Sequence, residues 1–261
     1  MISTLLIIDA MNLIRRIYAV QHKQHGDTLS ALIATQTTAT NALKKLLRIH
    51  HPTHVICVFD SHTASWRHQI YPDYKQGRKP VPELLKQGLL QIQEHFFEIG
   101  VDSLISEEDE ADDLIACLAD KMSKQQQNCI IVSTDKGFYQ ILDDHISIYD
   151  YFQNRFISRQ QVQHKMGVSS DQLCDYWAIT GISSSTIKGA EGIGSKGALS
   201  LLQQYGSLDN IFKQADDPEN KLLTKIKSQQ KEALLAKQLV TLKTDLQLGF
   251  NLKDLRYEQS Y

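Results

Sequence analysis

Four short apolar runs, separated by stretches with helical spacing, constrain the fold of this chain most strongly. The runs are rich in Ile and Val, which is typical of strands buried on both faces of a sheet. They cover residues 5–8, 55–59, 101–105 and 129–132. Helical spacing lies between them, at 35–49, 82–99 and 111–122. This alternation predicts an α/β fold with a mainly parallel sheet flanked by helices.

The strand signals fade after about Tyr151, and the remaining chain is typical of helices joined by glycine-containing turns. A chain of 261 residues with 42% hydrophobic content is long enough for two such regions. We therefore expect an α/β region over 1–155 and a helical region over 156–261.

Composition excludes several classes of protein. The net charge of -2 gives no overall basic field, so nucleic-acid binding would depend on local patches. The four cysteines are widely spaced and form no C-x-x-C pair, which argues against a zinc knuckle or a disulfide framework. The early apolar run at 5–8 is too short for a signal segment or a membrane span. We expect a cytoplasmic protein without a membrane partner.

Carboxylates follow the apolar runs. Asp9 and Asp60 come directly after the first and second runs, and Asp135 comes soon after the fourth. A further group begins the helical stretch after the third run: Glu110, Asp112 and Asp113. Sites of parallel sheets lie at the carboxyl ends of their strands, so these side chains are expected at one edge. Two unpaired carboxylates ~4 Å apart repel by ~4 kcal/mol at an effective dielectric of ~20, which indicates a shared cation, and Mg²⁺ prefers such oxygen ligands.

Within the stretch at 111–122, the apolar stripe places Asp112 at its edge and directs Asp113 away from it. Asp112 is then the partly buried carboxylate that most needs a cation. The alternative is that acidic residues in a first helical turn only complement the helix dipole and cap free N–H groups. Asp9 and Asp60, each taken alone, could likewise be ordinary turn residues after strands.

A basic aromatic segment lies at about 62–82. Its central part, 66–80, carries four Lys or Arg against one Asp, together with Trp and Tyr rings. Cations beside rings suit a phosphate backbone with unstacked bases. The candidate DNA contacts are Arg67, Tyr74, Lys75 and Arg78. A solvated loop whose aromatic rings lie in the core is the alternative.

A glycine-rich turn spans 189–197. Gly192, Ile193, Gly194, Ser195, Lys196 and Gly197 match G-x-G-x-x-G, but no buried strand precedes them, and the spacing of a Walker A loop is absent. We therefore expect no nucleotide cofactor. The turn instead predicts a helix that begins at about Ser195, whose free N–H groups could hold a DNA phosphate with Lys196 nearby. A plain cap between two helices is the alternative.

The ordered set of motifs resembles the bacterial 5′-nuclease family, including its free-standing flap endonucleases, over nearly the whole chain. The motifs lie at 8–16, 59–60, 66–68, 71–75, 110–113, 133–137, 181–185 and 192–194. The resemblance implies a Mg²⁺-dependent nuclease that cuts DNA at a 5′ flap or junction. It also implies a helix-three-turn-helix motif that grips duplex DNA.

The resemblance also implies the roles of individual residues. Lys75, Arg78 and Asp112 match catalytic positions. The matching magnesium ligands are Asp9, Asp60, Glu110, Asp112, Asp113 and Asp135. A potassium ion would be held by the main-chain carbonyls of Ile179, Thr180, Lys188, Ala190 and Ile193.

The chain departs from the family pattern at Gly137, Ile182 and Ser185, where the family usually has Asp. Those carboxylates complete a second metal site, so we expect one well-supported magnesium site and little 5′→3′ exonuclease activity. Two rival functions remain open: a DNA flap-binding or junction-binding protein with little or no catalysis, and an RNA-directed metal-dependent nuclease. We expect a monomer.

Overall fold

The computed structural model of the chain describes residues 3–60, 64–105 and 109–258. Its sheet has six strands in the order β3-β2-β1-β4-β5-β6. The strands are β1 Thr4–Asp9, β2 His54–Phe59, β3 Ser103–Ile105, β4 Asn128–Val132, β5 Ile146–Asp150 and β6 Arg155–Ile157. The first five are parallel, and β6 runs antiparallel to β5.

Helices cover both faces of the sheet and form most of the chain after it. Those of the first part are α1 Ala10–His25, α2 Leu29–His50, α3 Trp66–Ile70, α4 Glu83–Glu98 and α5 Ala111–Lys124. Those of the second part are α6 Arg159–Met166, α7 Leu173–Thr180, α8 Ser195–Tyr205, α9 Leu208–Lys213, α10 Lys221–Lys227 and α11 Gln230–Val240. Short 3-10 helices occur at Lys136–Ile141, Ser170–Gln172, Ser183–Ser185 and Leu252–Leu255.

The predicted α/β architecture is confirmed, and each predicted apolar run overlaps one of the strands β1–β4. Strands β5 and β6 lie outside the four predicted apolar runs. Strand β5 includes the polar Ser147, and β6 is a three-residue edge strand with Arg155 and Phe156 exposed, so neither gives a continuous apolar signal. The division at residue 155 stays a prediction.

Side chains of β1 divide the core into two layers because successive residues of a strand point to opposite faces. Leu6 and Ile8 lie in the layer formed with α1, α2 and α4. Leu5 and Ile7 lie in the layer that α5 shares with the later helices. The helical region therefore packs on the α5 side of the sheet, and this brings it next to the carboxyl ends of the strands.

The basic aromatic segment begins at about residue 62, but residues 62 and 63 lie outside the described residues. The rest of the segment contains α3 and then a turn in which Lys75 has a left-handed φ of 54°. Across the parts of the chain that the structure describes, no helix is both long and apolar enough to cross a membrane.

Candidate active site

Four of the predicted carboxylates lie at the carboxyl edge of the sheet. Asp9 is the last residue of β1, Asp60 follows β2, and Asp135 lies just beyond β4. Asp112 reaches the same edge from the first turn of α5. The edge therefore combines side chains from three strand ends and one helix start, as expected for an α/β site.

Hydrogen bonds hold the loop after β4 against the end of β1. Ser133 Oγ donates to Asp9 Oδ2 at 2.7 Å, and the Asn12 backbone N–H donates to Asp9 Oδ1 at 3.1 Å. Asn12 Oδ1 accepts from both the backbone N–H and the hydroxyl of Thr134, at 3.1 and 2.9 Å. This network fixes the position of Asp135 relative to Asp9.

The carboxylates influence one another's protonation. Burial raises the pKa of Asp9 to about 7, against the hydrogen bonds from Ser133 and the Asn12 amide, and the charges of Asp60 and Asp135 add to the increase. Burial also raises the pKa of Asp112 well above its usual range, with Asp135, Asp9 and Asp60 contributing and Lys75 opposing. Burial is thus the chief reason why these two carboxyl groups retain their protons, and the neighbouring carboxylates add to it.

Among the described residues, no three Asp, Glu, His or Cys side chains converge closely enough to hold one metal ion as they stand. The predicted set of six magnesium carboxylates therefore stays a prediction. An all-oxygen set at this edge fits magnesium, because this ion usually keeps several waters and binds through one or two carboxylates.

Asp113 does not point away from the core, as predicted, but is 0% exposed. Its Oδ1 accepts from Arg67 Nη2 at 2.8 Å and from the Lys243 backbone N–H at 2.9 Å. Its Oδ2 accepts from Arg67 Nη1 at 2.7 Å and from Trp66 Nε1 at 2.9 Å. These donors satisfy both oxygens and give Asp113 a structural role here, while its predicted role as a magnesium ligand stays a prediction.

Arg67 is 2% exposed, and its predicted role as a DNA contact stays a prediction. Besides the paired bonds to Asp113, its Nε donates to the Leu239 carbonyl at 2.8 Å and its Nη2 to the Thr241 carbonyl at 3.0 Å. The guanidinium joins α3 and α5 to the end of α11, which is a structural role.

Glu110 and Tyr74 form a second buried group with Lys75. Glu110 Oε2 accepts from the Tyr74 hydroxyl at 3.1 Å and from Lys75 Nζ at 3.0 Å, and its Oε1 accepts from Ser65 at 2.8 Å. Burial opposes ionisation of Glu110, but Lys75 and Arg67 lower its pKa. Tyr74 is buried with its hydroxyl occupied, and its predicted role as a DNA contact stays a prediction.

Glu110 holds the Lys75 ammonium at the site through its Oε2, and its predicted role as a magnesium ligand stays a prediction. Burial opposes the charge on Lys75, but the net effect is a raised pKa. Among the neighbouring charges, Asp112 contributes most to that increase, followed by Glu110. The Lys75 backbone N–H also donates to the Ser185 carbonyl at 2.9 Å. Arg78, three residues further on, is exposed beside the same edge.

The carboxylate edge lines a cleft of about 730 Å³ whose opposite wall is the helical region. Asp112 and Asp135 line one side with Lys75 and Arg78. Thr180, Ser183 and Ser195 line the other. Gly137, Ile182 and Ser185, where the family usually has Asp, all line this cleft as well, so it is here that the missing carboxylates would act.

The glycine-rich turn leads into α8, which begins at Ser195 as predicted. Gly192 has a φ of 69°, in the left-handed region that favours glycine, while Gly194 precedes the helix without a side-chain cap. Ser195 and Lys196 are exposed, whereas Ile193 is buried. The exposed helix start leaves backbone N–H groups facing solvent, which is compatible with phosphate binding.

The backbone segments predicted to bind potassium are close together. Ala190 donates to the Ile179 carbonyl at 2.8 Å, and Ile193 donates to the Ala190 carbonyl at 3.2 Å. A Cβ at Gly189 would lie 2.2 Å from the Ile179 oxygen, so only glycine allows this approach. Whether the carbonyls of Thr180 and Lys188 complete an ion site stays a prediction.

Ser133 and Asn12 are not among the predicted site residues, although both organise Asp9 and the loop that carries Asp135. Each lies within three residues of a predicted ligand. Polar residues beside a carboxylate at a strand end are the signal that could have identified them.

Family comparisons cover almost the whole chain. Residues 4–167 match the model of the 5′-3′ exonuclease N-terminal resolvase-like domain, and residues 168–261 match the 5′-3′ exonuclease C-terminal SAM fold. A protein of Psychromonas ingrahamii named flap endonuclease Xni is 80% identical over 260 residues, covering 100% of this chain and 99% of the relative. A protein of the same name from Aeromonas hydrophila is 49% identical, covering 97% of this chain and 95% of the relative.

Solved structures share the fold at low sequence identity. The T5 D15 protein, co-crystallised with metal ions, superposes with a TM-score of 0.74 at 20% identity, covering 91% of this chain and 88% of that protein. The catalytic core of Rad2 in complex with a DNA substrate gives a TM-score of 0.55 at 12% identity, covering 93% and 80% of the two chains.

Proposed function

This chain belongs to the 5′-3′ exonuclease family of bacterial 5′ nucleases, and we propose that it is a structure-specific endonuclease that cuts DNA near a 5′ flap or junction with magnesium. Relatives named flap endonuclease Xni match it over nearly their full lengths. The observation that carries the proposal is the group of carboxylates at the carboxyl edge of the sheet, beside a cleft that Lys75 and Arg78 also line.

The proposed magnesium ligands are Asp9, Asp60, Asp112 and Asp135. Their fit to a cation rests on their chemistry and place, since four carboxylates at one edge of the sheet offer the oxygen ligands that magnesium prefers. The raised pKa of Asp9 and of Asp112, caused chiefly by burial, is consistent with a site that binds either protons or a metal ion. When bound, magnesium would lower the pKa of a water molecule and stabilise negative charge on the phosphate.

The protein's own groups position the DNA phosphate and carry opposite charge. Glu110 anchors the Lys75 ammonium between itself and Asp112, so that Lys75 can face a phosphate oxygen without leaving its ion pair. Arg78 adds an exposed guanidinium beside it. Both cations would stabilise charge that develops on the phosphate as the P–O bond breaks.

The remaining features of the proposal concern DNA binding. The exposed start of α8 would hold duplex DNA as part of a helix-three-turn-helix motif. The residues concerned are Gly192, Ile193, Gly194, Ser195, Lys196 and Gly197. Potassium would bind at the neighbouring main-chain carbonyls. The helical wall of the cleft supports this assignment. We propose a cytoplasmic monomer that needs no nucleotide cofactor.

The substituted positions Gly137, Ile182 and Ser185 support a single dominant metal. Gly137 lies directly beside Asp135, whose Oδ1 accepts from the Gly137 backbone N–H at 2.7 Å, and it offers no oxygen ligand of its own. We propose that processive 5′→3′ exonuclease activity is accordingly weak.

The test is cleavage of a labelled 5′-flap DNA duplex across a magnesium titration by the wild type, Asp112→Asn and Asp120→Asn. Asp120 lies on the same helix but pairs with Lys124 away from the edge, so it is the matched control. We expect one junction-proximal product from the wild type and Asp120→Asn, and a loss of at least ~100-fold in rate for Asp112→Asn, in the range that removing one electrostatic stabiliser produces. An equal rate for Asp112→Asn would contradict the proposal.

The same assay separates the rival functions. A protein that binds the flap tightly but cuts it at no magnesium concentration would be a junction-binding protein. Faster cleavage of a matched RNA flap than of the DNA flap would indicate an RNA-directed nuclease.

A further inference from the structure

A second cleft, of about 700 Å³, continues from the carboxylate edge along β6 and α6. Thr134 and Lys136 line both clefts, so the two are contiguous. The second cleft contains none of the proposed magnesium ligands.

Positive charge dominates this second cleft. Its lining includes Arg16, Lys136, Arg155 and Lys165 against a single carboxylate, Asp150. Asp150 is 7% exposed, and its Oδ1 accepts from the backbone N–H groups of residues 152 and 153, both at 3.0 Å. Although the whole chain has a net charge of -2, positive charge is concentrated in this cleft, next to the carboxylate edge.

The four cations are exposed and, within the described parts of the chain, none of them lies within ion-pairing distance of an acidic side chain. Arg159 on the same α6 helix differs, because it pairs with Asp144 at 3.2 Å. Uncompensated cations in a concave surface form a site for a polyanion.

No exposed Phe, Trp or Tyr ring among the described residues lines this cleft. Its lining Tyr139 is buried, the ring it exposes is the imidazole of His164, and the Arg16 guanidinium lies 4.1 Å from the centroid of the nearby Phe152 ring. Side-chain amides such as that of Gln161 line the cleft instead. Such a lining suits phosphate and sugar contacts rather than the stacking that single strands require.

From these observations we infer that the cleft between β6 and α6 binds the sugar-phosphate backbone of a duplex arm of the DNA substrate, as an extension of the active site. This inference rests on the proposed function but assigns residues outside the glycine-rich turn and the segment at 62–82. Arg155 and Lys165 each contact a backbone phosphate, and Lys136 connects this path to the site of cutting.

The test compares the wild type with two double variants. Arg155→Gln/Lys165→Gln removes two cations of the cleft, and Lys253→Gln/Arg256→Gln is the control. The control pair is exposed at the opposite edge of the sheet, where Arg256 bridges to His54 at the start of β2. Fluorescence anisotropy in EDTA gives the affinity for a 5′-flap duplex and for the single-stranded flap oligonucleotide over a range of KCl concentrations. Steady-state cleavage with magnesium gives KM and kcat.

We expect the slope of log affinity against log salt for the flap duplex to fall by about 1.8 in Arg155→Gln/Lys165→Gln, since each lost phosphate contact removes about 0.9. KM should rise several-fold with kcat unchanged, and the control pair should match the wild type. The single-stranded oligonucleotide should bind equally to all three proteins.

Two results would overturn the inference. One is a salt slope for duplex binding by Arg155→Gln/Lys165→Gln that equals the wild-type slope. If the wild type still cuts the flap, that result leaves the proposed function intact. The other is a loss confined to the single-stranded oligonucleotide. A wild type that neither binds nor cuts the flap would refute the proposed function together with this inference.

Discussion

Single residues at the start of α5 have distinct roles that follow from their partners. Asp113 has four donors, including two from Arg67, whereas Asp112 faces other carboxylates and Lys75. The consecutive acids therefore divide into a structural anion and a candidate metal ligand. Glu110 belongs with the structural group because it fixes Lys75.

Replacing Arg67 by Met should destabilise the protein by about 3–5 kcal/mol, because Asp113 would remain buried without its partner. The double variant Arg67→Met/Asp113→Leu should recover much of that loss. Urea unfolding measures both, with the exposed Arg78→Met as a control that should keep wild-type stability. If Arg67→Met keeps wild-type stability but binds DNA more weakly, Arg67 has a role in DNA binding rather than in folding.

Asp9 should make the metal-free protein less stable as pH rises. Its folded pKa of about 7 exceeds the ordinary value of 3.8, so the protonated folded state is favoured, and stability falls between about pH 4 and pH 7. In EDTA, the free energy of unfolding of the wild type relative to Asp9→Asn should therefore be lower at pH 8 than at pH 5. Magnesium should reverse the difference at pH 8, whereas a constant difference in EDTA would argue against the raised pKa.

Elements rather than single side chains determine the second wall of the cleft. The end of α7 and the turn before α8 approach so closely that a Cβ at Gly189 would lie 2.2 Å from the Ile179 oxygen and 2.4 Å from the Gly181 nitrogen. Both obstacles are backbone atoms, which side-chain rotation does not relieve. The glycine at this position is thus required by the contact between the two segments.

Gly189→Ala should lower the free energy of unfolding by about 1–3 kcal/mol or more, as overpacking does, and should weaken binding of duplex DNA. Gly194→Ala is the control, since a Cβ there meets no atom within 4 Å and the backbone is extended. Thermal unfolding of both variants checks this. Equal melting temperatures would show that the segments separate without penalty.

The whole molecule shows what the sequence could and could not predict. Ile-rich and Val-rich runs gave the order of α and β elements and placed Asp9, Asp60 and Asp135 at one edge, because strand ends follow from local pattern. The roles of Arg67 and Asp113 depend on a contact across 46 positions and on the carbonyl of Leu239, 172 positions from Arg67. Periodicity within one helix carries no information about such partners.

The cleft at the carboxylate edge and the basic cleft meet at Thr134 and Lys136. The two clefts would form a continuous path for DNA only if the carboxylate edge holds a cation. Without one, the carboxylates would repel the phosphate that Lys75 and Arg78 face. The claim that this edge is a magnesium site is therefore central to both the cutting and the binding described above.

Isothermal titration of the metal-free protein with magnesium at pH 8 tests that claim most directly. We predict binding by the wild type and Asp120→Asn, and an affinity at least ~10-fold lower for Asp112→Asn, equivalent to ~1.4 kcal/mol. Equal magnesium affinity for all three proteins, or no binding by the wild type, would contradict the account.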